Sequence, residues 1–585
     1  MGIPSYFRVL LEENNNIINI VKSPVVDYLF LDFNSIIYNV YNESQFIDNK
    51  TLINNIIDKI NDICKLIKPK KMLYIAVDGT APRSKIVQQR SRRYKSLQID
   101  EYKNELKNKF NIKTTKNNFN PSNNACPGTK FMLDLDKNIL EKSKENFFNV
   151  PKIVYDNFLK PGEGEHKILP HIKRLSQIDH NSNVYIYSPD NDIISLALLS
   201  RKTNISILRY IDPYSLSILR KKEYITNDQA KNMMICIDIE KLKDNFQLSL
   251  DTIYDKSESI DKYNIIVDYN FLLSIVGNDF IPSLSYMKIK NGGLDTLIDI
   301  YKKIRDEEEF QNQYLISVNK DYQVNMLFFK EIIKNLAKME NSEMKKLDYF
   351  LSKERNKTIP ICIENDKQKK YNHSLSIFEH CYIVNREHPL HNLYENDFKS
   401  IDLSKDKHIW KGQYYNFFTG VDPSDYSSYN NLRTNMVKNY LSSLIFTLYY
   451  YNESCPSYSW YYKYRAPPLF SDIYTILDKH HFDINTIEFS KGKPFTPFQQ
   501  LSLILPKKSK DILPQEYQFV FDEYENYYPD TFKIDAFMGL KYIYSEAILP
   551  ENDCFEMLEK IENIEKEKQY KENILTKKLY CFNFK

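Results

Sequence analysis

Three short apolar runs, each closing on acidic residues and separated by helical stretches, constrain this chain more than any other feature. Residues 24–38 (PVVDYLFLDFNSIIY) carry Asp32 and Asn34 at the end of the first run, 71–78 (KMLYIAVD) end on Asp78, and 183–192 (NVYIYSPDND) end on Asp190 and Asp192. Runs this short and this apolar read as buried strands. The segments 51–67 and 84–109 between them have helical patterns. Strand–helix–strand order implies an α/β fold with a mostly parallel sheet flanked by helices. In such sheets ligands bind beyond the carboxyl ends of the strands, so three strands bring acids to one edge.

Two further acidic stretches join them. The chain has only 12 glycines in 585 residues, yet PGEGEHKIL (161–169) sets Gly162 and Gly164 around Glu163, with Glu165 and His166 following. Glycine allows turns and close backbone approach that other residues do not, so the adjacent carboxylates suggest a site. Residues 265–281 read as an apolar helix followed by Gly277 and Asp279, with another helix over 294–306. Asp32, Asp78, Glu163, Glu165, Asp190, Asp192 and Asp279 are seven hard oxygen donors without a His and Cys cluster, a set that suits Mg²⁺ or Mn²⁺ rather than zinc. Two such ions can clamp the attacking and leaving oxygens of a phosphoryl displacement, which makes phosphodiester hydrolysis the natural reaction. Taken singly, each Asp at a strand end reads as a turn or helix cap; their co-occurrence points to a site. His166 is read as a hydrogen-bonding support rather than a metal ligand.

The segment 79–96 (GTAPRSKIVQQRSRRYKS) reads as a helix after Pro82. The i, i+3, i+4 rule then puts Lys85, Gln89, Arg92 and Arg93 on one face. A basic helix is ordinarily a solvated surface, but this one begins beside Asp78. A pocket for a terminal phosphate is the more economical reading, since Arg forks and a Lys charge suit a phosphate dianion.

The length allows about two to four domains. The first region closes near 305–360, before a polar stretch at 363–373; 361–585 is mainly helical and rich in Trp and Tyr, with a charged helix-like segment over 557–579. The net charge of +3, from 80 basic and 77 acidic residues, says nothing for or against nucleic acid, so the distribution of charge must carry that argument. Eight scattered cysteines without a CxxC pair argue against a zinc finger and a disulfide scaffold. No run of 18 apolar residues is present, the N-terminus turns acidic before a signal sequence could form, and Tyr6 stands where myristoylation wants Ser or Thr. The expectation is neither export nor membrane attachment.

The motifs together resemble the Xrn family of 5′-to-3′ exoribonucleases. The matching segments are MGIPSYFR (1–8), LDFNSIIY (31–38), AVDGTAPRSKIVQQRSRRYKS (76–96), CPGTKFM (126–132), PGEGEHKI (161–168), SPDNDIISLAL (188–198) and VGNDFIPSL (276–284), with weaker matches at IWKGQYY (409–415) and SYSWYYKYRAPPLFSDI (457–473). They follow the family's order over nearly the whole chain.

The resemblance implies a PIN or flap-nuclease-like core over 1–360 and a helical second region, 361–585, closing the pocket. It implies two Mg²⁺ held by the seven acids, with Mn²⁺ as a substitute, and a 5′-monophosphate held by Lys85, Gln89, Arg92 and Arg93. The substrate would be decapped single-stranded RNA, degraded processively to nucleoside 5′-monophosphates in mRNA decay. The segment from Gly2 to Phe7 would border the entry channel and exclude duplex. A monomer, a decapping enzyme as partner and a cytoplasmic location are expected; KPKK (68–71) and PKKSK (506–510) are short for nuclear signals.

Departures from the family pattern stand at Ser35 and Tyr38, where it has Gly and His, and at Tyr458, where it has Trp, while Trp460 is kept. Tyr38 retains an aromatic face for stacking on a base, opposite Tyr458, Trp460 or a neighbouring aromatic. The family's long C-terminal extensions are missing, so the chain looks like compact members of large DNA viruses or divergent eukaryotes. Two alternatives remain at this level. A flap-type endonuclease should carry a glycine-rich helical hairpin after its last acids, which is not found. A catalytically inactive RNA-binding scaffold has no reason to keep all seven acids.

Overall fold

The computed structural model describes residues 6–44, 48–112, 119–221, 224–231, 233–250, 262–311, 313–319, 321–392, 401–551, 554–572 and 579–584. At its centre lies an eight-stranded sheet. Seven strands come from the first half of the chain: β1 (Ile18–Ile20), β2 (Tyr28–Asp32), β3 (Met72–Ala76), β4 (Lys152–Asp156), β5 (Val184–Tyr187), β6 (Ile205–Tyr210) and β7 (Met234–Asp238). The eighth, Leu579–Asn583, comes from the end of the chain. Their spatial order is β1-β7-β6-β5-β2-β3-β4, then Leu579–Asn583. The inner five strands, β6 to β4, run parallel; β7, β1 and Leu579–Asn583 are antiparallel additions at the edges. The mostly parallel α/β sheet expected from the sequence is therefore present.

A parallel sheet covered by helices buries both faces of each strand, and the alternation is visible residue by residue. Leu29, Leu31, Leu73, Ile75 and Ile153 enter a core with the helices Asn34–Glu43, Asn49–Ile67 and Lys130–Lys144. Phe30, Tyr74, Ala76, Val154 and Ile186 enter the larger core on the other face, shared with Gly164–Ile178, Asp192–Leu198, Lys262–Ile275 and the second-half helix Tyr426–Asn452.

Register places the tips. Asp32 lies opposite Ala76, Ala76 opposite Asp156, and Leu31 opposite Tyr187. The loops that follow β2, β3, β4 and β5 therefore leave the sheet at one level. The basic helix runs Arg83–Phe110, beginning after an extended Pro82, a residue with no N–H to lose at a helix start. The helix expected over 265–281 ends at Ile275, so Asp279 sits on the loop beyond it.

The last strand was not foreseen. Residues 557–579 read as a charged helix, and a helix does run Phe555–Glu572. The five residues Leu579–Asn583 then pair with all of β4. Tyr580 and Phe582 pack on the core while the alternate residues stay exposed, a half-buried edge too short to stand out in sequence. Many of the second region's aromatics are core: Trp410, Tyr414, Tyr415, Tyr440 and Tyr450 are all buried.

Candidate active site

Each acid reaches the sheet edge by a different local device. Asp32 is the last residue of β2, with its Oδ2 accepting from the Ser188 hydroxyl at 2.8 Å. Asp78 follows β3; its N–H donates to Asn34 Oδ1 at 3.1 Å. Glu163 and Glu165 flank the start of the helix Gly164–Ile178. Gly162 has φ of 108°, a left-handed conformation that favours glycine. Gly164 donates its N–H to Asp78 Oδ1 at 2.7 Å. A Cβ there would lie 2.8 Å from Asp32 Oδ1 and 3.0 Å from the Ala76 carbonyl. The loop can press two glutamates against two aspartates only because that position carries no side chain.

We expect Gly164→Ala to cost about 1–3 kcal/mol of stability by overpacking and to displace Asp32. Urea unfolding and divalent-ion titration would check both effects.

Asp190 and Asp192 follow β5. Asp190 accepts the Asp192 N–H at 3.2 Å, and its own N–H donates to Ser188 Oγ at 3.1 Å. Asp279 is reached from the basic helix by Lys85 at 2.6 Å, Arg92 at 3.1 Å and the Gln88 amide. Lys85 also pairs with Glu163 at 2.9 Å.

A cavity of about 620 Å³ joins these groups. It is lined by Asp32, Asp78, Glu163, Glu165, Asp190 and Asp279 together with Lys85, Gln89, Arg92, Arg93 and Tyr38. The proposed phosphate residues thus share one space with six of the seven acids. Asp192 lies behind the lining, buried, with Oδ1 lacking a hydrogen-bond partner and the Tyr451 hydroxyl 3.5 Å from Oδ2. The Tyr450 hydroxyl donates to Glu163 Oε2 at 3.2 Å.

Tyr458 and Trp460 do not line this cavity; Trp460 stacks on Phe446 with ring centroids 4.7 Å apart. Tyr6 and Phe7 are buried, Phe7 beneath the Arg209 guanidinium at 4.3 Å, while residues 2–5 of the expected channel border lie outside the described residues.

The electrostatics fit a divalent cation. Burial, then the neighbouring Asp78, pushes Asp32 up to about 8, and burial with Glu163 beside it pushes Asp78 up to about 6. Burial and neighbouring acids also raise Glu165 and Asp192 well above the usual carboxylate range. Burial opposes ionisation of Asp279 too, yet Lys85 and Arg92 outweigh it and hold that carboxyl well below the ordinary value. Negative charge exceeds the cations available to it, and the Asp192 oxygen has no donor, so the donor set suits hard cations. Glu163, Glu165 and His166 also have ligating atoms within 4.8 Å of one another. His166 packs its ring on Tyr450 at 3.9 Å, and burial holds it neutral, at about 3.

A carboxyl whose value is raised on folding contributes most stability while protonated and loses it as pH rises through the folded value. Without divalent ions, thermal stability should therefore fall as pH rises from about 4 towards 8, the window of Asp32. Saturating Mg²⁺ should flatten that fall, which melts across pH with and without chelator would show.

Several supporting residues escaped the sequence reading. Gln88 stands three after Lys85 and four before Arg92, so the same helical rule could have found it. The buried Lys167 Nζ donates to the carbonyls of Val77 and Asn157, tying the loops after β3 and β4. Arg209 donates to the Asp190 carbonyl at 3.0 Å. Tyr450 and Tyr451 had no local signal linking them to the acids.

The family model described as "XRN 5'-3' exonuclease N-terminus" matches residues 1–211, and "Xrn1 helical domain" matches 259–381 and 352–579. The chain belongs to the Xrn family. Among Xrn relatives, 5′-3′ exoribonuclease 1 of Saccharomyces cerevisiae is 26% identical, over 92% of this chain and 41% of its own length. The human protein of that name is 28% identical, over 92% of this chain and 32% of its own length. 5′-3′ exoribonuclease 2 of Gallus gallus is 25% identical, over 94% of this chain and 68% of its own length. This Xrn chain thus spans less than half the length of the first two. Among solved structures, the catalytic core of Rad2 in complex with DNA substrate aligns at 14% identity with a TM-score of 0.29, over 63% of this chain and 85% of that one.

Proposed function

We propose that this protein is a Mg²⁺-dependent 5′-to-3′ exoribonuclease that degrades single-stranded, 5′-monophosphorylated RNA to nucleoside 5′-monophosphates, in mRNA decay. The observation that carries the reading is the single cavity in which six carboxylates face Lys85, Gln89, Arg92 and Arg93. Nuclease acids and a phosphate-binding helix face then act on the same nucleotide.

In this reading Asp32, Asp78, Glu163, Glu165, Asp190, Asp192 and Asp279 hold two divalent cations. When bound, these supply charge stabilisation to the attacking and leaving oxygens of the phosphodiester. The chain's own side chains do the positioning. Lys85, Gln89, Arg92 and Arg93 hold the terminal phosphate, and the Arg93 guanidinium is braced by the Gln89 carbonyl at 2.9 Å and Cys126 Sγ at 2.8 Å. Lys85, kept charged by Asp279 and Glu163 against the pull of burial, bridges the acids to the phosphate residues. Tyr38 offers the ring on which the first base stacks. Residues 361–585 supply Gln500 and Ile543 to the cavity lining, while Tyr450 and Tyr451 back Glu163 and Asp192. Each cut leaves a new 5′-phosphate for the same pocket, which makes degradation processive.

The test compares 5′-monophosphate, 5′-triphosphate and 5′-hydroxyl forms of one single-stranded RNA with Mg²⁺. Monophosphate-selective release of mononucleotides is expected. Equal cutting of all three would remove the phosphate pocket from the reading, internal cuts would favour an endonuclease, and no turnover would favour a scaffold. EDTA should abolish turnover, and either Mg²⁺ or Mn²⁺ should restore it.

A further inference from the structure

The basic helix Arg83–Phe110 has a second functional-looking face. Gln88, Ser91, Arg92 and Lys95, on one face of the helix, line another cavity, of about 230 Å³, whose far walls come from 276–290, Arg465 and 535–546. Arg92, Asp279 and Ile543 line both this cavity and the catalytic one. The two spaces therefore adjoin at the Arg92–Asp279 pair.

The second cavity is basic. Arg92, Lys95, Lys288, Lys290 and Arg465 line it, against Asp279, Asp535 and Glu546. Asp279 is engaged by Lys85 and Arg92, and Asp535 faces Arg465 at 3.7 Å. Glu546 stands near Lys95 and Lys288, Asp535 also acts on Lys288, and Lys95 Nζ donates to the Ser545 and Ile543 carbonyls; Lys290 has no such partner among the described residues. The Lys290 Nζ is sequestered from water without a hydrogen-bond partner, resting 4.4 Å from the centre of the Tyr544 ring. Burial, and for Lys95 and Lys290 the neighbouring cations, pulls Lys95, Lys288 and Lys290 down to about 8. Lys290, a buried cation whose charged neighbours are the cations Lys288 and Lys541, is costly unless an anion joins it. Ile281, Pro282, Ile289 and Tyr544 add apolar and aromatic wall beside the charges.

We propose that this cavity is a second anion site, which takes the phosphate monoester of a nucleoside 5′-monophosphate as it leaves the catalytic pocket. The inference rests on the exonuclease reading for the source of its ligand. The chemistry it recognises, a phosphate dianion beside an apolar surface, follows from the cavity alone. Incoming RNA fills the catalytic pocket after each cut, and Arg92 is the group on which the released phosphate passes from one space to the other.

The experiment is calorimetric titration of the full chain, in chelator and without RNA, with uridine 5′-monophosphate, inorganic phosphate and uridine. Wild type, Lys290→Gln, Lys288→Gln, Lys290→Arg and Gln89→Ala are compared. A nucleotide site predicts that uridine 5′-monophosphate binds more tightly than phosphate and uridine not at all. Lys290→Gln and Lys288→Gln should each weaken that binding about tenfold, with Lys290→Arg restoring most of it and Gln89→Ala leaving it in place. Equal affinity for phosphate and nucleotide would overturn the nucleotide as ligand in favour of free phosphate. Unchanged binding in both Gln variants, or no binding to wild type, would overturn the site. Thermal melts of the variants separate lost binding from lost folding. In RNA assays the Gln variants should keep single-turnover cleavage while inhibition by added uridine 5′-monophosphate weakens. Failure of wild type to cut RNA would count against the exonuclease reading and leave the calorimetric result standing.

Discussion

Asp190→Ala combined with Asp192→Ala should lower mononucleotide release by about 10³-fold or more, since a bound metal contributes several kcal/mol to a phosphoryl-transfer barrier. The two carboxylates sit at the tip of β5, linked to each other through the Asp192 N–H and to Asp32 through Ser188. Removing both takes away part of the proposed donor set while leaving the sheet intact. The same variant should be at least as stable as wild type in chelator, because burial and then Asp190 and Asp279 already disfavour the charged form of Asp192. Inactivity with an unchanged or raised melting temperature would identify these acids as cation ligands. Inactivity with a lowered one would mean that they hold the fold instead. The stabilising effect of Mg²⁺ on wild type should also shrink in the variant, as ligand linkage requires.

Asp472→Ala should destabilise the protein by up to about 3–5 kcal/mol, the cost of breaking a buried ion pair by removing one partner. Asp472 is 2% exposed and accepts from Lys411 at 3.0 Å, from the Tyr415 hydroxyl at 2.6 Å and from Arg433. Burial works against its charge, yet Lys411 and Arg433 hold its carboxyl below the ordinary value. A lowered value means that its contribution is present above the unfolded value, about 4, and is lost as pH falls through the folded one. Asp472→Asn, which keeps the shape, should cost less and reduce the protein's sensitivity to acid. Trp410, buried next to Lys411 in sequence and donating to Asn341 at 3.1 Å, gives a fluorescence readout for denaturant titration.

The consequence extends to the site. Arg433 lies on the helix Tyr426–Asn452, whose other end carries Tyr450 and Tyr451. Loosening that anchor should weaken RNA turnover even where the variant remains folded, and the loss should exceed that of an exposed control such as Glu559→Ala.

The strands and their acids were legible because both signals are local. An apolar run long enough for one buried strand, ended by a carboxylate, needs only a handful of residues, and β2, β3 and β5 all declare themselves this way. Gly162 and Gly164 were legible for the same reason: backbone that must turn, or pass within van der Waals contact of Asp32, excludes a side chain at that position alone. The helix face of Lys85, Gln89, Arg92 and Arg93 follows from periodicity, as does Gln88 once the rule is applied from Lys85.

Pairing across the chain was not legible. That Lys85 joins Glu163 to Asp279, that Tyr450 reaches Glu163 across 287 positions, and that Leu579–Asn583 completes the sheet beside β4 depend on how whole elements pack. No local pattern encodes those partners. The sequence by itself determined which residue types reach the sheet edge, because strand and helix periods are set by the backbone. Only the tertiary structure decided that six acids and the helix face of Lys85, Gln89, Arg92 and Arg93 share one cavity, that Trp460 stacks on Phe446 outside it, and that the basic helix opens a second cavity at Arg92. Burial and charge compensation are properties of packed surfaces, and those surfaces exist only once distant segments meet.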